Sequence, residues 1–118
     1  MKRDLDLIRE ILTTLEARDS THGGLAPGAF PNRPEEVVSY HFYLLHQAGL
    51  IEADIQKSGN TGVFGIARNL TWAGQEFLDK IRSDTLWKKI KSTVKDKGLD
   101  LTFDTIGAAA AALIKTVF

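Results

Sequence analysis

The segment from Pro34 to Thr71 constrains the fold more than any other part of the chain. It reads PEEVVSYHFYLLHQAGLIEADIQKSGNTGVFGIARNLT. Pro34 suits a helix start because its φ is already set, and Glu35 and Glu36 follow where the helix dipole favours negative charge. Val38, His41, Phe42 and Leu45 then recur at helical spacing, with Leu44 and Ala48 flanking them. Gly49 supplies a left-handed stop after Ala48. From Leu50 the period changes to two in LIEADI, and it does so again from Val63 in VFGIARNLT, with KSGNTG as the turn between them. The segment therefore reads as a helix that stops at Gly49 and runs straight into a strand.

The flanking segments complete an α+β, mostly helical order. Residues 2–18 place Leu5, Ile8, Ile11, Leu12 and Leu15 at three- and four-residue spacing, which predicts an amphipathic helix with Asp4 and Asp6 near its start. Residues 19–33, DSTHGGLAPGAFPNR, hold three glycines and two prolines and read as a loop, with Leu25 and Phe30 as anchors onto the core. Thr71 is a good N-cap for WAGQEFLDKIRSDTLWKKIKSTVKDKG, either one long helix or two joined near Ser83. Phe77, Leu78, Ile81, Leu86, Ile90 and Val94 form its apolar stripe, and a last helix begins near Thr102. The expected division is a core over residues 1–82 and a C-terminal helical extension over 83–118, within one compact unit.

Composition removes several classes of function. A chain of 118 residues without cysteine has no disulfide, thiolate metal site or cysteine nucleophile, which fits a reducing, cytoplasmic setting. Fifteen basic residues balance fifteen acidic ones, so any nucleic-acid surface must come from local segregation of charge. Met1-Lys2-Arg3 is followed by an acidic, periodic segment, and no secretory leader is expected. The most apolar stretch, TIGAAAAALIKTVF, has 14 residues and contains Lys115. That is short of the ~20 residues of a membrane span, so none is expected.

The run SYHFYLLHQAGLI, the hairpin after it and the closing NLTWAGQEFL resemble the second half of a winged helix-turn-helix domain. Many bacterial repressors of that class carry Ser-x-His-(apolar)-x-x-Leu-x-x-Ala-Gly-Leu-(apolar) on the recognition helix. They close the wing with Leu-Thr-x-x-Gly, matched here by Leu70, Thr71 and Gly74. The resemblance covers about residues 36 to 78 and implies a winged-helix-like core with one β-hairpin wing. A second resemblance, through MKRDLDLIRE and LTWAGQEFLDKIRSDTLW, is to a domain-of-unknown-function family of bacteria and prophages; it implies a prophage or mobile-element setting and no particular activity. One departure stands out. A winged helix usually has a further helix between its first and recognition helices, and here the 15 residues between Arg18 and Pro34 are broken by glycine and proline. That second helix is expected to be missing, very short or distorted.

The resemblance puts Ser39, Tyr40, Tyr43, His46 and Gln47 on the exposed side of the recognition helix, where they would meet bases or phosphates of double-stranded DNA. That helix has no lysine or arginine, and Arg33 is the cation beside it. In the wing, Lys57 and Arg68 stand against Glu52 and Asp54. From Asp79 to Lys97 seven basic residues face three aspartates, a net +4, and Lys88, Lys91 and Lys95 share a helix face suited to phosphate. The alternative for that face is simple solvation near a helix C-terminus. The expected nucleic-acid contacts are therefore Ser39, Tyr40, Tyr43, Gln47, Lys57, Arg68, Lys88, Lys91 and Lys95.

No cofactor, metal or catalytic site is expected. His41 and His46 lie about 140° apart around a helix and cannot share a metal as an i, i+4 pair would. His41 falls on the apolar side and reads as a hydrogen-bonded core residue. Trp72 and Trp87 read as core or interface aromatics rather than stacking platforms. At the C-terminus, Phe103, Ile106, Ala110, Leu113, Ile114, Val117 and Phe118 give a helix an apolar face too broad for a small domain to cover. A homodimer through that helix is expected, with folding back onto its own core as the alternative. The functional expectation is a small non-enzymatic DNA-binding or transcription-regulatory protein. The alternative is a winged-helix scaffold reused as a protein-protein interaction module.

Overall fold

The structure, a computed structural model, describes residues 2–59, 62–98, 100 and 102–117, with side chains described as far as 113. It is α+β and mostly helical, with one β-hairpin wing and additional C-terminal helices. The elements are α1 (Leu5–Glu16), a 3-10 turn (Pro27–Ala29), α2 (Glu35–Gln47), β1 (Ile51–Ser58), β2 (Gly62–Leu70), α3 (Trp72–Ile81), α4 (Asp84–Asp96) and α5 (Phe103–Val117). The chain divides into two compact units, Met1–Gln75 and Glu76–Phe118, so the division falls inside α3. Arg82 and Ser83, the expected boundary, form the joint between α3 and α4.

In the first unit α1 starts at Asp4, whose Oδ1 accepts the Leu7 amide at 3.1 Å. Leu5, Leu7, Ile8, Ile11, Leu12 and Leu15 are buried along it. Burying each such side chain contributes about 1.5–3 kcal/mol, which makes α1 the largest apolar contribution to this unit. On α2 the buried residues are Val38, Ser39, His41, Phe42 and Leu45. The helix ends at Ala48, and Gly49 takes the expected left-handed conformation at φ +76. Leu25 and Phe30 anchor the intervening loop as expected. Phe30 is buried and meets Phe42 edge-on at 6.3 Å. In place of a second helix stands the single 3-10 turn at Pro27–Ala29, since Gly28 and the flanking prolines prevent a longer run.

The hairpin is antiparallel and pairs Ile51 with Leu70, Glu52 with Asn69 and Ala53 with Ala67, leaving Arg68 as a bulged extra residue. The strands run further toward the tip than KSGNTG suggests, because Lys57 and Ser58 belong to β1 and Gly62 to β2. Leu25 adds a one-residue bridge on the other edge of β2. Its amide donates to Ala67 O at 2.7 Å, and the Ala67 amide returns the bond at 3.0 Å. Arg18 reinforces the same seam, donating to Arg68 O at 2.9 Å and to His22 O at 2.7 Å.

The wing is locked to the turn before it. The Thr71 amide donates to Leu50 O at 3.0 Å, and the Thr71 hydroxyl donates to Gly49 O at 2.5 Å while accepting the Gly74 amide at 3.0 Å. Thr71 is thus the N-cap of α3 and a clasp on the end of α2. Trp72, next in sequence, does not take the core half of its expected core-or-interface role. It is 79% exposed, because the first position of α3 faces away from the clasp, and the core reading holds for Trp87 alone.

In the second unit α3 ends at Ile81 and α4 is a separate helix capped by Ser83, whose hydroxyl accepts the Leu86 amide at 3.3 Å. Trp87, Ile90 and Val94 are buried on α4, and Ile106 and Ala110 on α5. Phe103 meets Phe77 edge-on at 4.8 Å. Part of the apolar face of α5 is therefore covered within the chain, by packing on α4. The expected contributions of the Ile114, Val117 and Phe118 side chains lie outside the described residues. Among the described residues no helix is long and apolar enough to cross a membrane.

Candidate nucleic-acid interface

Three of the expected contact residues on α2 share one stripe. Tyr40, Tyr43 and Gln47 follow at i, i+3 and i+7, so they lie one above another on the helix surface. The tyrosine rings are 6.5 Å apart and tilted by 37°. Lys57 enters from the hairpin. Side chains alternate along β1, and Lys57 falls on the same face as Ala53 and Ile55, the face turned toward α2.

Tyr43 is where these groups meet. Its hydroxyl oxygen accepts from Lys57 Nζ at 2.6 Å and from Gln47 Nε2 at 3.0 Å. The Lys57 ammonium also lies 4.3 Å from the centre of the Tyr43 ring, within cation-π range. Tyr40 and Tyr43 are half-buried, while Gln47 and Lys57 are exposed. The result is a small polar surface that joins the helix to the wing through one phenolic oxygen.

Ser39 does not belong to that surface. It is 1% exposed, and its Oγ accepts the Gly65 amide at 3.3 Å. The physical reason is the hairpin: β2 covers a wider arc of α2 than the apolar residues alone mark out, and a serine is small enough to fit beneath it. Arg68 is likewise set apart. Its guanidinium holds Asp54 through Nε at 2.7 Å and through a second, shorter bond from Nη2. Asp54 and Lys57 are three residues apart on β1 and so point to opposite faces of the hairpin.

Arg33, the cation beside α2, is also committed. It pairs with the Asp4 carboxylate, and the Asp4 backbone amide donates to His41 Nε2 at 2.8 Å. His41 Nδ1 lies 2.8 Å from Val37 O. With Nε2 accepting, Nδ1 carries the proton and donates. His41 is fully buried and satisfied on both nitrogens, as its place on the apolar side implied. The sequence marks Asp4 as a dipole partner but does not mark Arg33 as its ion pair. The two are 29 residues apart, and neither occupies a periodic position that links them.

Lys88, Lys91 and Lys95 lie on α4, in the second unit. Lys88 and Lys95 are exposed, and Lys91 is half-buried with Nζ 5.5 Å from the Trp87 ring centre. His46 is exposed near the end of α2. Among the described residues no three histidine, aspartate or glutamate side chains come close enough to hold a metal ion.

The model of a family described as "Hypothetical protein (DUF2513)" matches residues 2–100. The chain belongs to the DUF2513 family. The DUF2513 match runs from α1 through α4 and includes the whole of the Tyr43 cluster, while α5 lies beyond it. An "Uncharacterized protein" of Haemophilus influenzae (strain ATCC 51907 / DSM 11121 / KW20 / Rd) is 51% identical over 114 residues, covering 97% of this chain and 96% of that one. No solved structure matches the DUF2513 chain.

Proposed function

We propose that this chain is a small, non-enzymatic DNA-binding or regulatory protein that uses α2 and the hairpin as a winged-helix reading head. The observation that carries this reading is the Tyr43 cluster. A helix side carrying Tyr40, Tyr43 and Gln47 is joined by the lysine of the adjoining wing, so hydrogen-bonding groups able to reach base edges gather on one surface. Lys88, Lys91 and Lys95 on α4 supply phosphate contacts.

The test is binding of random duplex DNA at low and moderate salt, followed by fluorescence anisotropy, with Lys88, Lys91 and Lys95 changed together to alanine in a second sample. Salt-sensitive binding is expected, and the triple variant should flatten the log-log salt slope by about 3, near 0.9 for each phosphate that is no longer neutralised. Absence of binding even at low salt sinks the reading.

A second reading is favoured by the exposed aromatics. Trp72 at 79% and Phe64 at 50% exposure are aromatic side chains of the type enriched at protein interfaces, which suits the same scaffold serving as an interaction module. A homodimer through α5 goes with either reading. Ala108, Ala111 and Ala112 are exposed, and an apolar cavity of ≈ 360 Å³ lies between α4 and α5. Sedimentation equilibrium at micromolar concentration separates monomer from dimer.

A further inference from the structure

Resting on the duplex-binding reading, we infer that the Tyr43–Gln47–Lys57 cluster reads guanine, through the O6 and N7 acceptors that a G·C pair presents in the major groove. Donors outnumber acceptors in the cluster. Tyr43 Oη accepts both the Lys57 ammonium and the Gln47 amide, so its lone pairs are taken and its own proton points away from both. An ammonium has three protons, and one is used on Tyr43. An amide nitrogen has two, and one of those is used as well. The cluster therefore offers a phenolic O–H, two ammonium N–H and one amide N–H, against a single acceptor, Gln47 Oε1.

Such a surface selects a partner made of acceptors. In the major groove guanine shows two acceptors, adenine an acceptor beside a donor, thymine an acceptor beside a methyl, and cytosine a donor. Guanine alone meets the cluster without placing a donor or a methyl against it. Phosphate is also rich in acceptors, but the cluster has one cation among neutral groups, and exposed Glu35 and Glu36 stand on the same helix. A dianionic stretch of helix opposes the full charge of a phosphate more than the partial charges of a neutral base edge. The 13-residue α2 is of a size that the major groove admits.

Three duplexes of equal length decide the matter: one of G·C pairs, one of A·T pairs, and the G·C duplex with 7-deazaguanine, which lacks N7 and keeps every phosphate. The wild-type chain should prefer the G·C duplex over A·T by roughly tenfold, the order expected for one good pair of contacts to a base edge, and should lose much of that preference on the 7-deaza duplex. Tyr43→Phe keeps the ring under Lys57 and removes the hydroxyl. It should abolish the preference while leaving the salt slope unchanged. Gln47→Ala, at an exposed position, is the companion variant should Tyr43→Phe fail to fold, and it should reduce the preference in the same direction.

Salt-sensitive binding with equal affinity for all three duplexes overturns the guanine assignment and leaves the duplex reading standing. Equal affinities combined with weaker binding by Lys57→Gln mark a phosphate contact, and also overturn it. Failure to bind any of the three at low salt overturns both.

Discussion

Replacing Gly74 by alanine should destabilise the protein even though alanine is the better helix former. Gly74 lies in the first turn of α3, where exchange of glycine for alanine ordinarily gains about 1 kcal/mol. A Cβ built there would stand 2.0 Å from Leu50 O and 3.0 Å from Leu50 C. Both are backbone atoms, so no side chain can swing aside. Retreat to even 3.0 Å requires the helix start and the Leu50 peptide to separate by about 1 Å, which takes the Thr71 amide out of bonding range of Leu50 O, now 3.0 Å away. Overpacking of this kind costs about 1–3 kcal/mol, and a buried amide left without its partner about 1–3 kcal/mol more. Against the gain in propensity of about 1 kcal/mol, the net loss is about 1–5 kcal/mol. Thermal and urea unfolding followed by circular dichroism measures it, and a midpoint lowered by about 10 °C is the expected size. Gly59→Ala is the control, since nothing stands within 4 Å of its Cβ and its φ needs no glycine. A Gly74→Ala protein as stable as the wild type would refute the reasoning.

Other outcomes follow from the same contacts. His41→Phe fills the volume but leaves the Asp4 amide without its acceptor, so urea unfolding should show a loss of about 2–3 kcal/mol; an unchanged midpoint would mean that the amide finds water instead. Ser39→Ala removes the acceptor for the Gly65 amide and should cost about 1 kcal/mol by the same assay, whereas a residue serving only DNA contact would leave stability untouched. Arg68→Ala breaks an ion pair whose side chains are 41% and 65% exposed, and stability should move by less than about 1 kcal/mol; a larger fall would give the bulge a structural role.

Much of the fold is legible in the sequence because one physical rule governs each stretch. The three- and four-residue spacing from Leu5 to Leu15 has no reading but a helix with one buried face. Gly49 and Thr71 mark ends that depend on a left-handed φ and a capping oxygen, both local properties of the residue. Features that depend on contacts between distant segments are not legible. The Leu25–Ala67 bridge is made by backbone groups alone, and no side-chain pattern announces it. Ser39 looks outward-facing in sequence because the apolar residues of α2 mark a narrower arc than β2 covers. Trp72 looks buried by residue type, while the clasp at Thr71 turns it outward. Of the expected contacts, Tyr40, Tyr43, Gln47 and Lys57 come together because helical and strand periods each put them on a facing side. Arg68 does not join them, because its bulge and Asp54 hold it on the other.

The two tryptophans of this chain fall one to each compact unit, Trp72 in the first at 79% exposure and Trp87 in the second at 3%. That division amounts to a built-in pair of optical reporters. Trp72 should emit as an indole in water and be quenched by iodide, and Trp87 should emit to the blue and resist it. Trp72→Phe then leaves a single emitter whose red shift tracks the α4–α5 unit alone, while circular dichroism follows the helices of both. Coincidence or separation of the two curves tells directly whether the first unit and the C-terminal helices melt as one cooperative body or as two.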